Sequence, residues 1–309
     1  MKKYDLITPE GTRDLLFEEC TARREIETKL MDLFKSDEWG YSEVITPFVE
    51  FYDVFCGFPQ ESMYKLTDSK GRLLVIRPDS TLPIIRLAET RLKDRPRPLK
   101  LCYNQTIYRA NPKEAGRDDE IAQCGIEIIG GENTDALKLA VESFKTMGFD
   151  YRFEIGNCYF FDTLIAENGI EPEKAEEIRK LTETKNYPAL TAMDIPVEFV
   201  ELPKLFGGAE VFEKAAKLLH CGELKNLLSE LKSTYRELSK SVSEDKITVD
   251  LGLTNTRGYY TGILFNGYIE GYGKPVLSGG SYYISKTSAA GFAVNVSAVA
   301  ELRGRKNAK

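Results

Sequence analysis

Apolar residues recur along this chain with two different periods, which separate the predicted strands from the predicted helices. Between residues 121 and 129, alternate residues form an apolar face, and Gln123 and Glu127 fall on the opposite face, which predicts a strand with one polar side. From residue 22 to residue 36, apolar side chains recur at helical spacing instead, which predicts a helix.

The same two periods assign the other elements. Further helices are predicted at residues 79–92 and 134–147 and from about residue 295 onward. Further strands are predicted at residues 41–51, 99–109, 151–155, 247–253, 259–268 and around 279–283. Residues 63–76 predict a hairpin that turns at residues 68–71. Pro47 interrupts the strand at 41–51, which therefore suits an edge or an interface better than a sheet centre.

The middle of the chain has a different composition. Residues 172–238 are rich in Glu, Lys, Leu and Ala at helical spacing, so residues 161–244 are predicted to be a mostly helical insertion. Residues 1–160 and 245–309 then form the core. Because its strands are mostly joined by hairpins, the predicted fold class is α+β, an antiparallel sheet flanked by helices.

Charge and hydropathy narrow the class of protein. The chain has 309 residues and a net charge of −6, so it lacks the positive charge expected of a protein that wraps nucleic acid. The short basic runs at 93–100 and 303–309 are interpreted as solvated surface. The N-terminus has no apolar signal region, and no run of about 18 apolar residues occurs, so we expect a cytoplasmic protein without membrane contact.

Cysteine and histidine patterns indicate neither a metal site nor a thiol or histidine catalyst. The six cysteines have no close pair, which argues against a zinc knuckle or a CxxC redox site. His220 is the one histidine, and it lies beside a helix-like segment, so a histidine-based triad could form only through it. No metal and no cofactor are expected.

The candidate chemistry lies around the strand at 121–129. Arg109 and Arg117 flank a turn-like segment, 111–116, that precedes the polar pair Gln123 and Glu127. Two interpretations of this segment are open. The hairpin is either an ordinary amphipathic one with a solvated polar face, or a site that presents cations and polar groups to a ligand.

Three other segments carry polar residues that the hydrophobic pattern does not require. In the segment 77–81, Asp79 either caps the following helix or binds a ligand. The segment 254–262 places Tyr259 and Tyr260 between glycines. The segment 278–281, with two adjacent glycines, predicts a close approach of the backbone to another group.

Taken in order, these segments resemble the catalytic domain of histidyl-tRNA synthetase, a class II aminoacyl-tRNA synthetase. The resemblance runs through PEGTRD, WGYSEVITPFVE (the motif 1 region), RPDSTLPIIR, the motif 2 stretch YRANPKEAGRDDEIAQCGIEIIG, RGYYTG, SGG and GFAV. It covers nearly the whole chain and implies a class II synthetase-like fold.

The resemblance also implies a pocket for free histidine. Its residues would be Asp79, Thr81, Arg109, Gln123, Glu127, Tyr259 and Tyr260. An α-ammonium group prefers carboxylate and amide oxygens, and an imidazole prefers an acidic or phenolic partner, so these residue types suit that ligand. Arg109 matches the motif 2 arginine, which in an active synthetase contacts the amino-acid carboxylate and the α-phosphate of ATP. Asp79 replaces the usual glutamate.

Three departures from the synthetase pattern affect the ATP chemistry. Asn111 stands where motif 2 has a glutamate, Asn255 where the histidine-specific segment has an arginine, and Ala298 where motif 3 ends in an arginine. Arg257 lies two residues after Asn255, the position at which the family has its arginine. Loss of one preorganised donor costs on the order of 10² to 10³ in rate, so adenylate formation should be crippled and no catalytic residue is expected.

A non-catalytic chain of this kind resembles the regulatory subunit of ATP phosphoribosyltransferase. The match to LPKLFGG at residues 202–208 is weak. We expect no anticodon-binding domain after the core, and therefore no tRNA partner. The resemblance implies a partner, a short-form catalytic subunit that this chain activates in the first step of histidine biosynthesis and subjects to feedback inhibition by histidine. It also implies a homodimer through motif 1 within a hetero-oligomer.

Two alternatives remain open from the sequence. One is an active histidyl-tRNA synthetase without its tail, and the other is a free-standing histidine sensor with a different partner. The sequence also leaves open whether inhibitory histidine binds the synthetase-like pocket or the interface with the partner.

Overall fold

The computed structural model of the protein describes residues 4–110, 118–131, 133–254, 259–284 and 287–307, with side chains up to residue 304. The chain divides into two compact units. Unit 1 comprises Met1–Gly131 and Gly291–Lys309, and unit 2 comprises Glu132–Ala290.

The elements of the described residues are numbered in chain order. The α-helices are α1 (Phe17–Lys35), α2 (Thr81–Glu89), α3 (Asn133–Met147), α4 (Tyr159–Glu167), α5 (Pro172–Glu183), α6 (Tyr187–Ala192), α7 (Val197–Glu201), α8 (Glu210–Leu218), α9 (Gly222–Leu238) and α10 (Val296–Asn307). The strands are β1 (Ser42–Glu43), β2 (Val49–Phe51), β3 (Lys65–Thr67), β4 (Leu73–Ile76), β5 (Leu99–Tyr108), β6 (Glu120–Ile129), β7 (Tyr151–Asn157), β8 (Phe206–Gly207), β9 (Ile247–Asp250), β10 (Tyr260–Ile269), β11 (Leu277–Ile284) and β12 (Thr287–Asn295). Short 3-10 helices lie at Tyr52–Phe55, Gln60–Ser62, Leu202–Lys204 and Glu244–Lys246.

In unit 1, the strands β1, β5 and β6 lie side by side, with the unit 1 part of β12 next to β6. β1 and β5 are parallel, whereas β5 and β6 form the predicted antiparallel hairpin. A second, antiparallel sheet has the order β2-β4-β3. Its predicted hairpin turn is confirmed: Asp68 accepts backbone N–H bonds from Lys70 and Arg72 across the turn.

The core of unit 1 lies between helix α1 and the strands β5 and β6. The apolar stripe predicted for α1 is buried, with Ile26, Leu30 and Phe34 wholly inaccessible to solvent. The ring of Phe34 packs edge-on against Phe292 of β12 at a centroid distance of 5.9 Å. This helix covers one face of the hairpin, so the polar face with Gln123 and Glu127 lies on the other side.

In unit 2, the strand order is β12-β11-β10-β7-β9-β8. The pair β7 and β9 is parallel, and β10 is antiparallel to both of its neighbours. Helix α3 packs on this sheet, where the ring of Phe144 occupies the space above Gly267. Most residues from 161 to 244 are helical, and the limits of the insertion stay a prediction.

The fold class is confirmed as α+β, a mixed and mostly antiparallel sheet flanked by helices. Strand β12 was not predicted, because the small residues Ala289, Ala290 and Gly291 weaken its apolar alternation. Helix α2 ends at Glu89, before the predicted residue 92. In the described ranges, no helix has both the length and the apolar character that crossing a bilayer requires.

Candidate functional site

The segment between β4 and α2 brings two predicted ligand residues together in unit 1. The Asp79 carboxylate is buried, and its Oδ1 accepts the backbone N–H of Thr81 at 2.8 Å. The N-cap position of α2 is Ser80, so Asp79 precedes the helix rather than capping it. The buried Ser80 hydroxyl has no hydrogen-bond partner within the described residues. This turn therefore presents three consecutive oxygen-bearing side chains.

The motif 2 arginine is held against this turn. Arg109 donates from Nε to the Pro78 carbonyl at 2.7 Å and from Nη2 to Asp79 Oδ2 at 3.1 Å. The Arg109 side chain is 16% exposed and that of Asp79 is 3% exposed, so the ion pair is largely shielded from water. Shielding strengthens an ion pair but also makes either charge costly without the other.

Glu127 is joined to the same turn from strand β6. The Thr81 hydroxyl donates to Glu127 Oε1 at 2.7 Å, and the Glu127 side chain is buried. The carboxylate also lies against Gly291 of β12, where a Cβ would overlap Glu127 Oε2 and the Ile126 carbonyl oxygen. Only glycine at position 291 leaves room for the carboxylate in this position.

Gln123 lies on the same face of the hairpin as Glu127. It pairs with Gln105 across the strands, and both side chains are buried. Gln105 Oε1 accepts the hydroxyl of Thr46 at 3.1 Å. Between the two predicted ligand residues, the Tyr103 hydroxyl occupies the space beside Gly125, which has no Cβ to exclude it. The polar face is therefore an internal surface, not the solvated face of an ordinary amphipathic hairpin.

The PEGTRD segment contacts the open end of the same hairpin. The Asp119 backbone N–H donates to the Gly11 carbonyl at 2.7 Å, and the Arg109 N–H donates to the Asp119 carbonyl at 2.8 Å. The Tyr64 hydroxyl donates to Asp119 Oδ2 at 2.5 Å. That hydrogen bond, assisted by burial, raises the pKa of Tyr64 to about 12.

Arg77, in contrast, has a structural role. It is buried and donates to the carbonyl oxygens of Thr106 and Thr46, each at 2.8 Å. Burial lowers its pKa from the ordinary arginine value. Its donors thus connect β5 to the segment that precedes β2.

Tyr259 and Tyr260 belong to unit 2, at the start of β10. Their ring centroids are 4.7 Å apart, and the Tyr259 ring packs edge-on against Tyr282 at 6.0 Å. Cys158 Sγ accepts the Gly262 N–H at 3.2 Å and donates to the Tyr260 carbonyl at 3.6 Å, which fixes the backbone here.

Of the three departures from the synthetase pattern, Ala298 lies within the described residues. Ala298 is buried in the first turn of α10, where its N–H donates to Asn295 Oδ1 at 3.0 Å, and its methyl group supplies no cation. Asn111 and Asn255 lie outside the described residues, as do Arg117 and Arg257.

The sequence reasoning missed three neighbours of the predicted ligand residues. These are Ser80, Tyr103 and Gln105. Tyr103 and Gln105 alternate along β5 just as Gln123 and Glu127 do along β6, so a correct strand register would have placed all four on one face. Ser80 gave no signal of its own, because a serine before a helix is an ordinary cap.

The unit 1 arrangement, called the Asp79 cluster below, comprises Asp79, Thr81, Arg109 and Glu127. It combines a largely shielded guanidinium with two carboxylates, which suits a small zwitterion better than an anion or an apolar molecule. No group of three or more His, Cys, Asp or Glu side chains suited to a metal ion occurs in the described ranges.

A family model and curated relatives match most of this chain. The histidyl-tRNA synthetase family model matches residues 11–299. The ATP phosphoribosyltransferase regulatory subunit of Clostridium botulinum is 37% identical, over 96% of this chain and 76% of that protein. The one from Bacillus thuringiensis subsp. konkukian is 39% identical, over 91% of this chain and 71% of that protein.

A solved structure also matches this chain over nearly its whole length. The crystal structure described as an ATP phosphoribosyltransferase regulatory subunit/histidyl-tRNA synthetase from Bacillus halodurans superposes with a TM-score of 0.86 at 29% identity. The match covers 97% of this chain and 84% of that one. The chain therefore belongs to the histidyl-tRNA synthetase-like family of ATP phosphoribosyltransferase regulatory subunits.

Proposed function

We propose that this protein is a non-catalytic regulatory subunit that binds free histidine and adjusts the activity of a short-form ATP phosphoribosyltransferase. Family membership supports a regulatory role in histidine biosynthesis. The observation that carries the ligand assignment is the buried Asp79 cluster. Activation of the catalytic subunit and feedback inhibition are the finer parts of the proposal.

The cluster is complementary to the two charges of an amino acid. Histidine carries an ammonium and a carboxylate, and Asp79 and Arg109 offer the opposite charges 3.1 Å apart. Glu127, oriented by the Thr81 hydroxyl, would accept an imidazole N–H. On the resemblance to synthetases, Tyr259 and Tyr260 are proposed as further histidine residues, as is Gln123.

Regulation follows from differential binding. Histidine can inhibit only if it binds the inactive arrangement of the complex more tightly than the active one. A coupling free energy of about 1–3 kcal/mol would change the apparent affinity by roughly 5- to 150-fold. A sensor should also release histidine unreacted. Ala298 supports this, because alanine cannot stabilise the charge that develops at the α-phosphate during adenylate formation.

Calorimetry with free histidine tests the ligand assignment. We expect Glu127→Gln to weaken histidine binding by roughly 100-fold, because a buried charge-assisted hydrogen bond is lost. Glu120→Gln is the matched control, since it lies on the same strand, seven residues away and on the opposite face, and should bind as the wild type does. Equal histidine affinity in all three proteins would contradict the assignment.

Reconstitution tests the regulatory role. The purified chain, mixed with a short-form phosphoribosyltransferase, should form a complex, raise the rate of phosphoribosyl transfer from PRPP to ATP, and make that rate sensitive to histidine. Absence of both complex formation and altered rate would favour a histidine sensor with another partner. Histidine-dependent pyrophosphate exchange above background would favour an active synthetase instead.

We also propose a homodimer core within the hetero-oligomer, in the cytoplasm. The motif 1 region exposes apolar side chains, with Ile45 81% accessible and Phe48 and Phe51 each more than 40% accessible. A second copy that covers this surface would remove those side chains from water. Ile45→Glu should lower the molar mass measured by light scattering from that of a dimer toward that of a monomer.

A further inference from the structure

A cavity of about 380 Å³ is lined by residues that all belong to unit 2. One wall is the sheet formed by β7, β10 and β11, and another is formed by the residues 182–185 and 250–254. This volume falls in the range of small-molecule sites. The lining of the cavity includes the polar side chains of Glu154, Asn266 and Lys185, so its ligand must offer hydrogen bonds as well as contact area.

The sheet wall carries a row of hydrogen-bonded side chains. Glu154, Asn266 and Ser278 face one another across β7, β10 and β11. Ser278 donates to Asn266 Oδ1 at 2.9 Å, Asn266 donates to Glu154 Oε2 at 3.0 Å, and the Tyr268 hydroxyl donates to the same Oε2 at 2.9 Å. Within the described residues, no hydrogen bond reaches Glu154 Oε1. One carboxylate oxygen is thus fixed by neutral donors, and the other is available to a ligand.

The charges that line the cavity do not balance. Three carboxylates, of Glu154, Glu183 and Asp250, face one ammonium, that of Lys185. Lys185 Nζ lies 3.2 Å from Asp250 Oδ2, and Glu183 accepts the hydroxyl of Thr254. Burial raises the pKa of Glu154, and the hydrogen bonds from Asn266 and Tyr268 only partly oppose this effect. A cation beside Glu154 would relieve that cost.

A second observation also points to a ligand. Thr182 contributes to the wall of the cavity and is 3% exposed. Its hydroxyl has no hydrogen-bond partner within the described part of the chain. A buried polar group without a partner is unfavourable, so an unfilled hydrogen bond at the edge of a cavity indicates a missing donor or acceptor.

We propose that this cavity binds a small organic amine, whose ammonium group is accepted by Glu154 Oε1 and whose remaining polar group reaches Thr182. The net negative lining selects cations over anions. The phenol rings of Tyr260 and Tyr268 add aromatic surface that favours a cation. The site is lined by unit 2 residues, and its proposed hydrogen-bonding residues, Glu154 and Thr182, are not among those proposed for histidine. Tyr260 is common to both sets, and the amine ligand goes beyond the proposed histidine function.

A matched ligand series tests the charge selection on the full chain. Putrescine, 4-aminobutyrate and succinate each have four carbons, and they carry two ammonium groups, one ammonium with one carboxylate, and two carboxylates. Calorimetry should give the tightest binding for putrescine, binding weaker by about tenfold or more for 4-aminobutyrate, and none for succinate. Absence of putrescine binding, or succinate binding as tight as that of putrescine, would overturn the proposal.

Variants locate the site. Glu154→Gln should weaken putrescine binding by about tenfold or more, and Thr182→Val by a few-fold. Thr234→Val is the matched control, because Thr234 is buried in α9 with its hydroxyl bonded to the Glu230 carbonyl and does not line the cavity. Thermal melts identify any variant that is not folded. Putrescine affinity unchanged in both Glu154→Gln and Thr182→Val would place binding elsewhere and refute the assignment. The histidine titration of Glu127→Gln is an independent result.

Discussion

Both units bury carboxylates, but they compensate the negative charge differently. In unit 1, Asp79 is paired with the shielded guanidinium of Arg109 and with the Thr81 N–H. In unit 2, the described hydrogen bonds to Glu154 come from the neutral donors Asn266 and Tyr268. The Asp79 carboxylate therefore has a bonded cation, whereas burial raises the pKa of Glu154 despite its hydrogen bonds. This difference is why we propose a zwitterion as the ligand of the first site and a cation as the ligand of the second.

The largest expected difference is in the stability lost when one partner is removed from the ion pair Arg109–Asp79 or from the ion pair Lys185–Asp250. Asp79→Asn should lower the free energy of unfolding by about 3 kcal/mol, because it removes a bonded carboxylate from the largely shielded Arg109 guanidinium. Lys185→Met should cost about 1 kcal/mol or less, since the Lys185 side chain is 54% exposed and water already weakens its attraction to Asp250. Urea denaturation measures both values. Equal losses would mean that the two units shield their charges alike.

Two buried threonines provide a smaller contrast. Thr81→Val should cost about 2 kcal/mol, because Glu127 loses a hydrogen bond from the Thr81 hydroxyl. Thr182→Val should change the free energy of unfolding by about 0.5 kcal/mol or less, or raise it, since the Thr182 hydroxyl has no partner to lose in the described residues. Urea denaturation of the ligand-free proteins measures both changes in the free energy of unfolding. A large loss for Thr182→Val would reveal a hydrogen bond that the fold already supplies.

The raised pKa of Glu154 predicts a pH dependence of the free energy of unfolding. Burial raises its pKa above the ordinary value of 4.5, so the folded state holds this proton more tightly than the unfolded state does. Its contribution to stability is therefore lost as the pH rises from about 4.5 through the raised pKa. The wild type should lose stability relative to Glu154→Gln over that window in urea titrations. A difference that is independent of pH would contradict the shift.

The smallest expected change in stability is that caused by Tyr64 at alkaline pH. Tyr64, whose pKa is raised to about 12 chiefly by its hydrogen bond to Asp119, should keep its proton in the folded state above pH 10. The stability that it contributes is present below the unfolded-state pKa of about 10 and is lost as the pH rises toward 12. The stability difference between the wild type and Tyr64→Phe should accordingly shrink across this interval. Spectrophotometric titration of the phenols provides the second measurement.

The sequence predicted most of the architecture. The hairpins, helix α3 and the strands β5 and β6 were placed within a residue or so, because their apolar periods are strong. Helix α1 begins at Phe17, before the predicted residue 22, since its first turn carries few apolar residues. Strand β12 was missed where Ala and Gly replace branched side chains.

The candidate sites were less predictable than the fold. Residue types and their order named Asp79, Thr81, Arg109 and Glu127, whose hydrogen bonds join them in the structure. Their role in histidine binding stays a prediction. In the unit 2 cavity, the lining residues Thr254, Tyr260, Ser278 and Gly279 lie in segments that the sequence had singled out. Glu154, Asn266 and Thr182 gave no signal, because each is an ordinary residue of a strand or helix.

What the sequence determined by itself was the periodicity: Gln123 and Glu127 share a face because side chains alternate along a strand, whatever surrounds it. The synthetase-like order of motifs was equally a property of the sequence. Only the tertiary structure decided that Thr81 donates to Glu127, 46 residues away, and that Asn266 donates to Glu154, 112 residues away. Such contacts depend on strand register and packing, which fix distances that local patterns leave open.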